Sequence, residues 1–108
     1  MGEVMATTPE AKVKAKIKAI LKAHNVYYAM TIGTGYGNSG VPDFLCCDNG
    51  KFVAIEAKAG KGTTTALQEK NLKQIKESGG ITAVIYETNV AYLEKWVKEN
   101  ANKPTTIS

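Results

Sequence analysis

Val41-Pro42-Asp43-Phe44-Leu45-Cys46-Cys47-Asp48-Asn49-Gly50-Lys51-Phe52-Val53-Ala54-Ile55-Glu56-Ala57-Lys58 reads as two strands joined by a tight turn. Asn-Gly tolerates the positive φ angles that a two-residue hairpin turn demands. Val41 to Cys47 forms one arm and Lys51 to Lys58 the other. Alternate side chains of a strand share a face, so Glu56 and Lys58 point the same way. If the turn sets the register, Asp43 falls near the middle or far end of its partner strand, close to Glu56 and Lys58. Three charges so placed on the apolar arms of the hairpin, away from its turn, are costly unless they are paired or hold a metal.

Outward from the hairpin, Val26 to Ile32 is rich in aromatic and β-branched residues and reads as a preceding strand. Between the two lies a glycine-rich loop, Gly33 to Gly40. Further upstream, Thr7-Thr8-Pro9-Glu10 opens a helix, with Thr7 and Glu10 at capping-box spacing and proline in the first turn. Val13, Ile17, Ile20, Leu21 and His24 share one face of that helix, Lys12, Lys14, Lys16, Lys18 and Lys22 fill the rest, and Asn25 ends it. Downstream, Gly60-Lys61-Gly62 breaks the chain, and Thr63-Thr64-Thr65 offers N-caps to a second helix reaching about Ser78, stopped by Gly79-Gly80. Ile81 to Tyr86 is nearly all apolar, as in a strand covered on both faces. Thr88 or Asn89 caps a third helix with Val90, Leu93, Trp96 and Val97 inward. The order α-β-β-β-α-β-α predicts an α/β fold. It consists of a mixed sheet flanked by helices, the last strand a parallel neighbour through the crossover helix, with an additional C-terminal helix.

One domain is expected from 108 residues: a core over about 7–99, with flexible ends at 1–6 and 101–108 and fraying from Asn100. Apolar residues make up 44% and charged residues 22%, which excludes a disordered or collagen-like chain. No apolar run approaches the ~18 residues of a membrane helix. The N-terminus lacks the features of a signal peptide, so a cytoplasmic protein is expected. The net charge of +4 comes from fourteen lysines and no arginine. A polyanion partner held through phosphate and shape fits that balance better than base reading by bidentate arginine. Cys46 and Cys47 are adjacent, point to opposite faces of a strand, and suit neither a disulfide framework nor a zinc site; they are read as buried small hydrophobes.

Asp43 and Glu56 are thirteen residues apart. Lys58 could simply form an ion pair with either of them. Two residues from flanking helices add to the cluster. Glu10 lies on the stripe of Val13 and Ile17, so it can face the sheet, although it could equally complete a capping box with Thr7. Gln68 lies on the stripe of Leu72 and Ile75, although it could equally cap Thr65.

Gly40-Val41-Pro42-Asp43-Phe44, then Glu56-Ala57-Lys58, then Gln68 after a Gly/Thr-rich break, resembles the VRR-NUC branch of the PD-(D/E)xK nuclease superfamily, and the helix beginning at Glu10 is similar to that pattern as well. The likeness runs from Glu10 to Tyr86. It implies a restriction-endonuclease-like αβββαβ core and a Mg²⁺- or Mn²⁺-dependent endodeoxyribonuclease. Asp43, Glu56 and the Ala57 carbonyl would bind the metal, Glu10 would add a carboxylate directly or through water, Lys58 would orient or activate the attacking water and contact the phosphate, and Gln68 would hydrogen-bond nearby. Hard oxygen donors of this kind suit Mg²⁺ or Mn²⁺ rather than zinc. Stand-alone members of this size resemble phage-encoded nucleases that dimerise and act on branched DNA such as four-way junctions, which would place the protein in the host cytoplasm.

The glycine loop is not a dinucleotide fingerprint, because Pro42 and a strand follow it instead of a helix. It is read as a flexible loop at the site mouth, with Tyr36, Ser39 and Lys61 as candidates to touch nucleic acid. His24 is read as structural, and Trp96 and Tyr92 as core or dimer-packing residues. The helix-one lysines are read first as a solvated face. Two rival readings stand beside the nuclease: a non-catalytic basic nucleic-acid-binding domain of the same fold, and a structural protein with an ordinary α/β core.

Overall fold

The computed structural model describes residues 8–31 and 40–101. The elements run α1 (Pro9–Ala23), β1 (Tyr27–Met30), β2 (Phe44–Asp48), β3 (Lys51–Ala57), α2 (Ala66–Glu77), β4 (Ile81–Ile85) and α3 (Val90–Ala101). They build an α/β domain around a four-stranded mixed sheet of order β1-β2-β3-β4. β1/β2 and β2/β3 are antiparallel, whereas β3/β4 is parallel.

Turn chemistry sets these boundaries. Asn49 and Gly50 take φ of 54° and 83°, the left-handed pair of a type I′ turn, and Asp48 pairs with Lys51 as the hairpin predicts. α1 ends with Asn25 at φ 57°. There the Asn25 and Val26 amides donate to the Lys22 and Leu21 carbonyls, and a hydrophobic residue, Val26, follows the stop into the core. α2 ends in the same way at Gly79 (φ 99°), with Gly79 and Gly80 donating to Lys76 and Ile75.

The core lies mainly on one face of the sheet. Val13, Ile17 and Leu21 of α1 and Leu93 and Val97 of α3 close over Phe44, Cys46, Val53, Ile55 and Ala57. Burying these side chains is the main stabilising contribution, about 1.5–3 kcal/mol for each large one before entropy is counted. α2 packs on β4 on the other side, with Leu72 as its buried residue.

Several expectations change in the structure. The N-cap of α1 is Thr8, whose hydroxyl accepts from the Ala11 amide, so Glu10 is not the capping-box partner; Thr7 lies outside the described residues. β2 begins at Phe44 rather than Val41. Pro42 has no N–H for a ladder, and contact with the preceding chain continues through the Thr31 hydroxyl to the Pro42 carbonyl and the Thr31 amide to the Asp43 carbonyl. β3 stops one residue before Lys58, whose amide still donates to the Ile85 carbonyl. β4 ends at Ile85, because the Tyr86 amide turns to the Asn89 side chain. It is half-buried along most of its length instead of covered on both faces, as befits an edge strand. Tyr92 is 65% exposed and so is not a core residue of the single chain, whereas Trp96 is half-buried against the core. α3 continues through Asn100 and Ala101, where fraying is expected from the sequence; residues 102–108 lie outside the described residues, as do 1–6.

The cysteines take opposite faces of β2, as strand alternation demands, but only one of them is the buried small hydrophobe that the sequence suggests for both. Cys46 is buried and Cys47 exposed. Burial, and secondarily the Asp48 charge, push the Cys46 thiol up to about 12, which leaves it protonated and inert.

Gly40 shows why the chain reaches the hairpin at all. A Cβ built there would lie 2.6 Å from Leu67 Cγ, 2.6 Å from the Leu67 carbonyl oxygen and 2.7 Å from Asn71 Nδ2. The segment leading into Asp43 therefore lies directly on α2, the helix that carries Gln68. Gly40→Ala is expected to lower stability by about 1–3 kcal/mol, since backbone stands in the way and cannot rotate aside. A thermal melt equal to wild type would show that this contact is dispensable.

Candidate active site

The hairpin register gathers the acidic residues. Phe44 pairs with Ile55, so the next position back along β2, Asp43, meets Glu56 at the open end of the hairpin. Asp43 Oδ2 accepts the Ala57 amide at 2.9 Å, which ties the aspartate to the end of β3. Two residues along, Lys58 Nζ stands 3.6 Å from Glu56 Oε2, the same-face relation that strand alternation demands. Both side chains are enclosed, Glu56 at 3% and Lys58 at 13% exposure.

α2 enters from one side. Gln68 does both things that its position suggested. Its Oε1 accepts the Thr65 amide in a reciprocal capping box, while its Nε2 donates to Glu56 Oε2 at 3.0 Å. The cap fixes the rotamer, and the fixed rotamer presents the donor. α1 enters from the other side. Because Thr8 caps α1 by accepting the Ala11 amide, Glu10 is free to pair with Lys14 one turn on, Oε2 to Nζ 3.5 Å. The same ammonium stands 3.5 Å from Asp43 Oδ1. Glu10 thus joins the cluster through Lys14, and its side chain stays partly exposed. Lys14 is the site residue that sequence reasoning missed, grouped there with solvated lysines. Its signal was the i,i+4 spacing from Glu10.

Glu56 is the electrostatic centre. Burial, then the Asp43 charge, push its carboxyl up from its ordinary 4.5 to about 7, with a smaller contribution from Glu10. Lys58 and the Asp43 backbone amide pull the other way and lose. Oε1 of Glu56 is buried and makes no hydrogen bond of ordinary geometry among the described residues. A carboxylate oxygen left so is costly unless something charged or protonated completes it.

The donors suit a hard divalent cation: carboxylate oxygens of Asp43 and Glu56, the Ala57 carbonyl at the strand end, and one buried oxygen awaiting a partner. Among the described residues no three His, Cys, Asp or Glu side chains form a ready metal cage. The candidate set has two close carboxylates with a backbone oxygen, and Lys14 separates Glu10 from them.

The remaining candidates fall elsewhere. Tyr36 and Ser39 lie outside the described residues, as does most of the glycine loop. Lys61 is exposed on a turn pinned by the Gly60 amide on Glu87 and by the Tyr86 hydroxyl donating to the Gly62 carbonyl at 2.8 Å. His24 forms the C-cap of α1 and bonds Glu94 of α3 at 3.3 Å, a structural tie. The more open hollows, such as the α1/α3 groove of Ala19, Ile20, Ala23 and Val90, contain none of the clustered carboxylates. Among the described residues no helix is long and apolar enough to cross a membrane. No family model, curated protein or solved structure matches this chain.

Proposed function

We propose that this chain is a Mg²⁺- or Mn²⁺-dependent endonuclease that hydrolyses DNA phosphodiester bonds, a VRR-NUC-type member of the PD-(D/E)xK superfamily with a restriction-endonuclease-like core. The observation that carries the reading is the convergence of Asp43, Glu56 and Lys58 at one strand end, with a buried Glu56 oxygen unpartnered and Gln68 holding the other. The αβββαβ element order and the mixed sheet are compatible with it.

Asp43, Glu56 and the Ala57 carbonyl would hold the ion. When bound, such an ion acidifies a coordinated water and neutralises charge developing on the scissile phosphate. The Lys58 ammonium, 3.6 Å from Glu56 Oε2, would orient the attacking water and offset negative charge on the phosphate. Gln68 keeps Oε2 of Glu56 occupied and leaves Oε1 for the cation. Branched DNA, four-way junctions above all, is the proposed substrate. Paired cuts across a junction need two sites, and a small chain with one site supplies them by two-fold pairing, so the working form is a homodimer. A net charge of +4 borne entirely on lysine suits a partner held by phosphate contacts.

The test is incubation of the protein with end-labelled four-way junction and linear duplex in Mg²⁺, Mn²⁺ and EDTA, alongside sedimentation. Expected are metal-dependent cuts on the junction, slower or absent cuts on the duplex, and a dimer. Salt-sensitive DNA binding that ignores metal, with no cleavage of either substrate, would falsify the enzyme and leave a basic binding domain.

A further inference from the structure

Lys14 is set apart from the other lysines of α1. Lys12, Lys16, Lys18 and Lys22 are exposed, while Lys14 is half-buried between two carboxylates, 3.5 Å from Glu10 Oε2 and 3.5 Å from Asp43 Oδ1. Asp43 Oδ2 is taken by the Ala57 amide, so Oδ1 is the oxygen that aspartate can offer to a cation. The ammonium of Lys14 is already there. Across the cluster, Glu56 keeps a buried oxygen with no partner among the described residues. Each carboxylate thus has an ammonium at one oxygen, Lys14 at Oδ1 of Asp43 and Lys58 at Oε2 of Glu56, while Oε1 of Glu56 has no hydrogen-bond partner among the described residues.

We propose that Lys14 is a built-in counter-ion, which occupies the Asp43 oxygen in the metal-free protein and must swing away for a divalent cation to bind. The inference rests on the metal-site reading above and adds a residue that competes with the ion. Two features make the exchange feasible. At 3.5 Å both contacts are longer than the 2.7–2.9 Å of a charge-assisted hydrogen bond, so the lysine is held by proximity rather than locked. Its flexible four-carbon stem and 34% exposed side chain give the ammonium a way out to water. Once released, the positive charge lies at the rim of the site, on the side from which α1 approaches. The counter-ion holds the carboxylates together before metal arrives, and its displacement sets the metal concentration at which the site fills.

Calorimetric titration of Mn²⁺ into the metal-free protein, without DNA, tests this on wild type, Lys14→Met and Lys18→Met. Methionine keeps the aliphatic bulk and removes the charge. Lys14→Met is expected to bind Mn²⁺ about tenfold more tightly, equivalent to about 1.4 kcal/mol. Lys18→Met, which removes an equal charge from the exposed face, is expected to stay within about twofold of wild type, showing that position and not net charge matters. Equal or weaker binding by Lys14→Met overturns the counter-ion role while the metal site stands. Equal tightening by both variants overturns it as well, in favour of net charge. Absence of Mn²⁺ binding in all three proteins removes the metal site and the counter-ion together.

Discussion

Lys58→Ala is expected to lower junction cleavage by about 100- to 1,000-fold at saturating Mn²⁺ while leaving a Mn²⁺-induced rise in melting temperature. The ammonium is not among the proposed ligands. It sits 3.6 Å from Glu56 Oε2 in a nearly closed position, where water screens it little and its charge counts most. Removing it deprives the transition state of a fixed positive charge without emptying the donor set. Asp43→Asn should behave differently, losing both cleavage and the Mn²⁺ shift, because it removes a ligand charge. Gln68→Ala should fall between: about 10- to 100-fold slower, from loss of the hydrogen bond that orients Glu56, together with about 1 kcal/mol of stability from the lost cap. The graded order of these three is what matters. Full activity in Lys58→Ala would remove that residue from the chemistry.

Stability should depend on pH through Glu56, with a definite sign. Its carboxyl is raised in the folded protein from 4.5 to about 7. The unfolded chain therefore releases this proton first as pH climbs. The contribution of Glu56 is fully present below about pH 4.5 and is lost progressively up to about pH 7. The loss amounts to roughly 3 kcal/mol. Glu56→Gln keeps the shape, removes the titration, and leaves the Lys58 ammonium without its partner, which offsets part of the gain. At pH 8, without metal, the variant is expected to be more stable than wild type by about 1–2 kcal/mol, or roughly 5–10 °C in melting temperature. At pH 4.5 the advantage should vanish or reverse. Saturating Mn²⁺ should stabilise wild type at pH 8 and leave the variant unmoved. A difference between the two that stays constant from pH 4.5 to 8 would mean that Glu56 ionises as an ordinary carboxylate. The same oxygens that destabilise the metal-free fold are those that would hold the ion, the trade-off expected of a functional cluster.

Much of this was readable from local chemistry. Asn49-Gly50 predicts the hairpin turn, and a hairpin turn dictates register, which is why the sequence itself brings Asp43, Glu56 and Lys58 together. Gly79-Gly80 and Thr65 mark the ends of α2 through hydrogen bonds that span only a few residues. The helix stripe of Val13, Ile17 and Leu21 likewise identifies the buried face of α1. One error fell where two equivalent residues competed. Thr7 and Thr8 both make good caps, and the choice of Thr8 freed Glu10 for Lys14.

The amino-acid order alone determined the order of the elements, the β2/β3 hairpin and the charged trio of Asp43, Glu56 and Lys58, because each depends on periodicities and turns spanning a few residues. Only the tertiary structure decided that α1 would lay Lys14 against Asp43, that Gln68 would serve Thr65 and Glu56 at once, and that one oxygen of Glu56 would be sealed without a partner. Those relations depend on where separate helices come to rest on the sheet. That placement is set by the summed packing of the core, and no local pattern encodes it.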